Sequence, residues 1–210
     1  IDNTIFNLLF SSICIVILVN GSNFCDGVNC NVIGYYLIVS LAILYGEFPN
    51  PINFPNIKII IMIFFIFFLS NLFQKSFLGD NGVYVINIFM AIYLINFINT
   101  NSYISPLLAL NLLWYPAFEN LFTIIRRLSA NRTIDKADGL HFHTLLLKRI
   151  FNFNKNFIFS NSLTGILLNL FMFIGIFLST NYYNNAKVLT LILMINITIY
   201  VLIYFLFLSR

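Results

Sequence analysis

Charge is what this sequence lacks most. Of its 210 residues only 9% are Lys, Arg, Asp or Glu, while 60% are hydrophobic. A soluble domain carries about 25% charged residues, and even a large one leaves part of its chain facing water. A soluble globular fold is therefore excluded, and lipid is the solvent that fits. Cysteine is scarce too. Cys14, Cys25 and Cys30 show no metal-binding spacing and make no disulfide framework. Free thiols are expected, Cys14 in an apolar run and the other two flanking a polar loop. Histidine is limited to His141 and His143, too few for a closed structural zinc site, which takes about four ligands. No strand-like alternation runs through the chain, and an open sheet edge in lipid would leave backbone groups unpaired. Residues 1–20 lack a basic leading segment and a small-residue cleavage site, so they do not read as a signal peptide. No internal repeat is evident. The chain begins with Ile rather than Met, which reads as the C-terminal part of a longer protein.

What the sequence has is long apolar runs. A bilayer core of about 30 Å needs roughly 20 apolar residues in a helix. Seven runs approach that length, near 4–20, 31–46, 57–73, 82–98, 104–125, 161–180 and 187–208. The fold class read from them is all-α, a polytopic transmembrane helix bundle of about seven spans forming one domain over residues 1–210. By parity, loops near 21–30, 74–81 and 126–160 share one side, and 47–56, 99–103 and 181–186 share the other. Seven of the eleven Lys and Arg residues lie between Arg126 and Lys155. The positive-inside rule puts that side in the cytoplasm. The same block also suits anionic headgroups or phosphates. The bias toward Phe, Ile, Asn, Tyr and Lys suggests an AT-rich genome and lowers the information in any single Asn or Phe.

Polar chemistry gathers on the same side. The first loop holds Asn23, Asp26, Gly27 and Asn29. Glycine beside Asp permits a tight turn, and the Asp and Asn oxygens can bind a metal, a sugar or a nucleotide. The same residues also make a capped helix-to-helix turn. The second loop runs Phe77-Leu-Gly-Asp80-Asn-Gly82. A hard cation such as Mg²⁺ binds through one or two carboxylates and keeps room for substrate phosphates. Asp80 as the N-cap of the following span is the alternative. The third loop holds Arg126, Arg127, Asp135, Asp138, His141 and His143. Arg and Lys can hold a pyrophosphate by charge-assisted hydrogen bonds. Histidines two apart meet one site only from an irregular segment. Glu119 lies inside an apolar run, where acids are costly and suggest function. An ion pair with a nearby arginine explains it equally well.

In this order and on one side, the loops resemble those of the polyprenyl-phosphate N-acetylhexosamine-1-phosphate transferases. This family includes the enzymes that start O-antigen, teichoic acid and peptidoglycan lipid carriers. The resemblance rests on Asn23 to Gly27 (Asn-x-x-Asp-Gly) and Phe77 to Gly82 (Phe-x-Gly-Asp-x-Gly). It rests also on Pro116 and Glu119 followed by Arg126 and Arg127, and on Asp138, His141 and His143 (Asp-x-x-His-x-His). It covers nearly the whole chain. Three positions depart from the pattern: Cys30 after Asn29, Val83 after Gly82, and Thr144 after His143. The family's Asp-Asp loop lies upstream of Ile1.

The resemblance implies a Mg²⁺-dependent enzyme that moves a sugar-1-phosphate from a UDP-N-acetylhexosamine to a membrane polyprenyl phosphate, releasing UMP. It implies Asp80 as the Mg²⁺ ligand and Asp26 as a catalytic partner. It implies Asn23, Asn29, Arg127, His141 and His143 as substrate-binding residues. The implied place is the bacterial inner (plasma) membrane, with the active loops cytoplasmic. The implied partners are the UDP-sugar and the polyprenyl phosphate lipid, with no nucleic acid and a homodimer left open. The chain taken alone is expected to be inactive without the upstream acidic loop. Two other classes compete. One is a transport or respiratory-chain membrane subunit, which would place charged relays in mid-membrane, where Glu119 stands almost alone. The other is an inactive membrane scaffold.

Overall fold

The computed structural model describes residues 4–48, 57–131 and 139–209. The described chain is helical, with no strand among the described residues. Its order is α1 (Thr4–Cys25), α2 (Asn31–Tyr45), α3 (Ile57–Leu72), α4 (Gly79–Thr100), α5 (Leu107–Leu112), α6 (Trp114–Ser129), α7 (Phe142–Asn154), α8 (Phe157–Asn181) and α9 (Ala186–Leu208).

Four helices are long and apolar enough to cross a bilayer: α1, α4, α8 and α9. At 1.5 Å per residue, the 22 residues of α4 reach about 33 Å. Helices α2 and α3 lie where spans were expected, but at 15 and 16 residues they fall short of the bilayer core. The expected span at 104–125 is not one helix. It breaks at Leu113 into α5, of 6 residues, and α6. Pro116 gives the reason. Inside a continuous helix its ring would clash with the Leu112 carbonyl and remove a hydrogen bond. With the break at Leu113, Pro116 falls in the first turn of α6, where no donor is missed. The Leu112 carbonyl, freed by the break, accepts from the Tyr35 hydroxyl at 2.9 Å. The expectation of about seven spans therefore holds only for the four long helices.

Two further boundaries differ from the sequence reading. Helix α1 continues to Cys25, so Asn23 lies in its last turn rather than in a loop. The segment read as a loop over 126–160 contains the end of α6 and the 13-residue helix α7.

Helix α2 is the centre, buried along most of its length and packed on α3 and α8. Helix α1 packs on α6 and α4, and α7 on α8. The approach of α8 is tight. A Cβ on Gly165 would stand 1.9 Å from the Asn29 carbonyl oxygen, so only glycine fits there. The outer faces of the bundle are apolar: Leu8, Phe10 and Ile13 on α1, Met62 and Ile66 on α3, and Leu191 and Leu202 on α9 are all exposed. Such continuous apolar exposure marks a surface that water does not cover. The chain is a membrane protein built as a helical bundle.

Candidate functional site

The turn between α1 and α2 is held from outside itself. The Asn29 amide donates to Asn161 Oδ1 at 2.6 Å, and the Cys30 amide donates to the Asn71 side chain. Asn169 Nδ2 donates to the Cys30 carbonyl at 2.7 Å, and Asn31 Nδ2 to the Cys25 carbonyl at 2.8 Å. Every backbone group in a buried turn needs such a partner, and here α3 and α8 supply them. Asn29 itself is buried, with Nδ2 donating to Ser162 Oγ at 3.3 Å. It therefore serves the joint with α8, whereas Asn23 is half-buried in the last turn of α1.

Phe24 in the last turn of α1 and Gly27 in the pinned turn meet the start of α7. Gly27 lies so close to His143 that a Cβ there would meet Nε2 at 2.0 Å. Phe24 stacks on His141 with ring centroids 5.2 Å apart. His141 in turn lies parallel to His143, 6° between planes and 5.7 Å between centroids. The Arg127 guanidinium lies 5.8 Å from the Phe24 ring centroid. The result is a stack of Arg127, Phe24, His141 and His143 at one end of the bundle. His141 precedes the first turn of α7 in an extended conformation, and this lets residues two apart face the same place.

Glu119 orients that stack. It is 1% exposed, and its Oε1 lies 3.0 Å from His141 Nδ1. Its other oxygen accepts from the Tyr200 hydroxyl. Among the described residues its ion-pair partner is thus His141, not the arginine that the sequence suggested. A carboxylate on one ring nitrogen fixes the tautomer and the orientation of the ring. Tyr204 completes the clamp, donating to the Leu140 carbonyl at 3.0 Å. Sequence reasoning missed Phe24, Tyr200 and Tyr204. Nothing in their apolar surroundings distinguished them from other aromatic residues.

The electrostatics are uneven. Burial pushes the His143 imidazole down to about 4, opposed by the nearby Glu119 charge, with His141 adding to the depression. His143 is thus neutral at ordinary pH, and its Nδ1 is buried without a hydrogen-bond partner among the described residues. Asp26 moves the opposite way. Burial raises it from 3.8 to about 7, and the negative charge of Asp80 adds to the rise. Asp80 sits exposed in the first turn of α4, inside the helix rather than at its N-cap. The structure therefore brings Asp26, Asp80, Arg127, His141 and His143 to one end of the bundle. Asp135 and Asp138 lie outside the described residues.

Among the described residues no group of three or more His, Cys, Asp or Glu side chains is placed to hold a metal. Mg²⁺ makes a smaller demand, one or two carboxylates completed by water and phosphate. Asp26 and Asp80, which interact electrostatically, are carboxylates of the kind that demand calls for. No family model, curated protein or solved structure matches this chain. The site must therefore be read from its own chemistry.

Proposed function

We propose that this chain carries active-site loops of a polyprenyl-phosphate sugar-1-phosphate transferase. The observation that carries the proposal is convergence. Three polar segments separated by apolar helices meet at one end of the bundle, through Gly27 against His143, Phe24 in contact with both Arg127 and His141, and the electrostatic interaction of Asp26 with Asp80. The resemblance assigns these same segments to the transferase site.

In the proposed reaction a phosphate oxygen of the membrane lipid attacks the β-phosphorus of a UDP-N-acetylhexosamine. The bond from that phosphorus to the bridging oxygen breaks, and UMP leaves with the electron pair. The product is a lipid pyrophosphate sugar. Such transfers depend on positioning and on stabilising phosphate charge. Arg127, beside Phe24, would contact a phosphate oxygen. His141, fixed by Glu119 through Nδ1, would contact the nucleotide sugar. Neutral His143 would donate or accept without adding charge. Asp26 and Asp80 would hold Mg²⁺, which when bound screens the pyrophosphate and polarises it.

The test is UMP release by the complete protein in lipid with polyprenyl phosphate and UDP-N-acetyl sugars. Activity should need Mg²⁺ and fall by at least about a hundredfold in Asp80→Ala. Turnover that persists in EDTA would refute the metal role. One observation favours a second reading, a proton-conducting subunit: the buried Glu119, His141 and Tyr200 chain. That reading requires proton flux that Glu119→Gln abolishes and Asp80→Ala leaves intact.

A further inference from the structure

The α3–α4 turn and the α7–α8 turn are separated by about eighty residues in sequence but joined in space. Gln74 Nε2 donates to the Ile158 carbonyl at 3.4 Å, and Ser162 Oγ donates to the Leu72 carbonyl at 3.0 Å. The joined turns expose large aromatic residues. Phe153 is 93% exposed, Phe77 69%, Phe73 67% and Phe157 56%. Between these rings stand two exposed lysines. Lys75 follows the end of α3, and Lys155 caps α7 just before α8 begins. Residues 70–78 and 148–161 contain no acid; Asp80, in the first turn of α4, is the next one along the chain.

Depth decides what meets this surface. Both lysines lie just outside helices whose flanks are apolar, α3 on one side and the long span α8 on the other. That is the level of the lipid headgroups, where aromatic rings and lysines collect. Helix α7 is fixed in place there. Arg149 Nη2 donates to the carbonyls of Leu206 and Phe207 at 2.9 and 3.1 Å, and the guanidinium lies 4.8 Å from the Phe207 ring centroid. A guanidinium on the last carbonyls of α9 complements that helix's negative end. Arg149 is thus occupied in docking α7, whereas Lys75 and Lys155 extend outward. Rings that enter the acyl boundary beside cations that stay at the phosphate level suit a negatively charged leaflet.

We propose that the joined α3–α4 and α7–α8 turns form a headgroup site for anionic phospholipid, with Lys75 and Lys155 on the phosphate and Phe153 and Phe157 in the acyl boundary. The surface needs only the membrane setting, and it stands whether or not the transferase reading does.

The experiment uses the full chain in nanodiscs of mixed phosphatidylcholine and phosphatidylglycerol, with stepwise delipidation and native mass spectrometry of the lipids retained. The wild-type chain should keep phosphatidylglycerol over phosphatidylcholine. The double variant Lys75→Gln/Lys155→Gln should lose that preference by about fivefold per lysine. Lys187→Gln, at the opposite end of the bundle at the start of α9, should keep it. Equal retention of the two lipids by the wild type overturns the proposal. So does a double variant that behaves as wild type, or a Lys187→Gln variant that loses as much as the double variant. Both lysines of the double variant are exposed, so melts matching the wild type are expected.

Discussion

Asp26 holds its proton unusually tightly, and the consequence can be worked out by sign. Its folded-state value, about 7, exceeds its ordinary value of 3.8. Below about pH 4 the carboxyl is protonated in both folded and unfolded chains. Between there and about pH 7 the unfolded chain gives up the proton and the folded chain keeps it, so stability falls as pH rises. Asp26→Asn removes this cost. Melts in nanodiscs should show the variant above wild type by about 5 °C at about pH 8, with a smaller margin at about pH 5. Equal margins at both values would mean that Asp26 is not held as the geometry suggests. A bound divalent cation competes with the same proton. Mg²⁺ should therefore raise the wild-type melting temperature more at about pH 8 than at about pH 5, and Asp80→Asn should remove the effect. Glu119 makes a different prediction at this scale. Glu119→Ala strands the Tyr200 hydroxyl and His141 Nδ1 in a buried place. The loss should be about 3 kcal/mol, read as a lower melting temperature, whereas Tyr200→Phe should cost less.

At the scale of elements, much was legible in the sequence, and the errors have identifiable causes. The runs at 161–180 and 187–208 correspond to α8 and α9 because a long uniformly apolar stretch has one stable state in lipid. The run at 104–125 is long but less uniformly apolar, with Asn111, Glu119 and Asn120 inside it, and Pro116 splits it; averaging over a window conceals such single residues. The loop over 126–160 hid α7, whose apolar face shows only once α8 is there to bury it. Asn29 and Asn23 were indistinguishable as letters. What separates them is the contact of Asn29 with Ser162, about 130 residues away, which no local pattern encodes. Asp26, Asp80 and the two histidines were legible because acids and imidazoles are rare in this chain. Tyr200 was not, being one of 11 tyrosines in aromatic-rich surroundings. The tightest joint between elements gives a direct test. Gly165→Leu would push a side chain into the Asn29 carbonyl. It should cost about 3 kcal/mol, or about 10 °C in melting temperature. Because the α1–α2 turn would move with it, the Asp26 effect on stability at high pH should shrink in the same variant.

At the scale of the whole molecule, the polar ends of eight elements meet at one end of the bundle. The C-terminal ends of α1, α3, α6 and α9 and the N-terminal ends of α2, α7 and α8 are joined there by the bonds of Asn71, Asn161, Asn169, Glu119 and Arg149, and the N-terminal end of α4 brings Asp80 to the same end. The turn between α8 and α9 lies at the other end, since α8 and α9 are both long enough to cross the bilayer. This asymmetry requires that residues near the site share one aqueous compartment. Lys75→Cys and Lys155→Cys, in a chain with Cys14 replaced by Ser, should react with an impermeant maleimide from the same side of a sealed vesicle. Asn184→Cys, in the α8–α9 turn, should react only from the opposite side. Cys25 and Cys30 are buried and should remain silent. If Lys75→Cys and Lys155→Cys reacted from opposite sides, the two turns could not be joined through Gln74 and Ile158. The common headgroup surface and the gathered site would then fail together, because both depend on these turns sharing one face of the membrane.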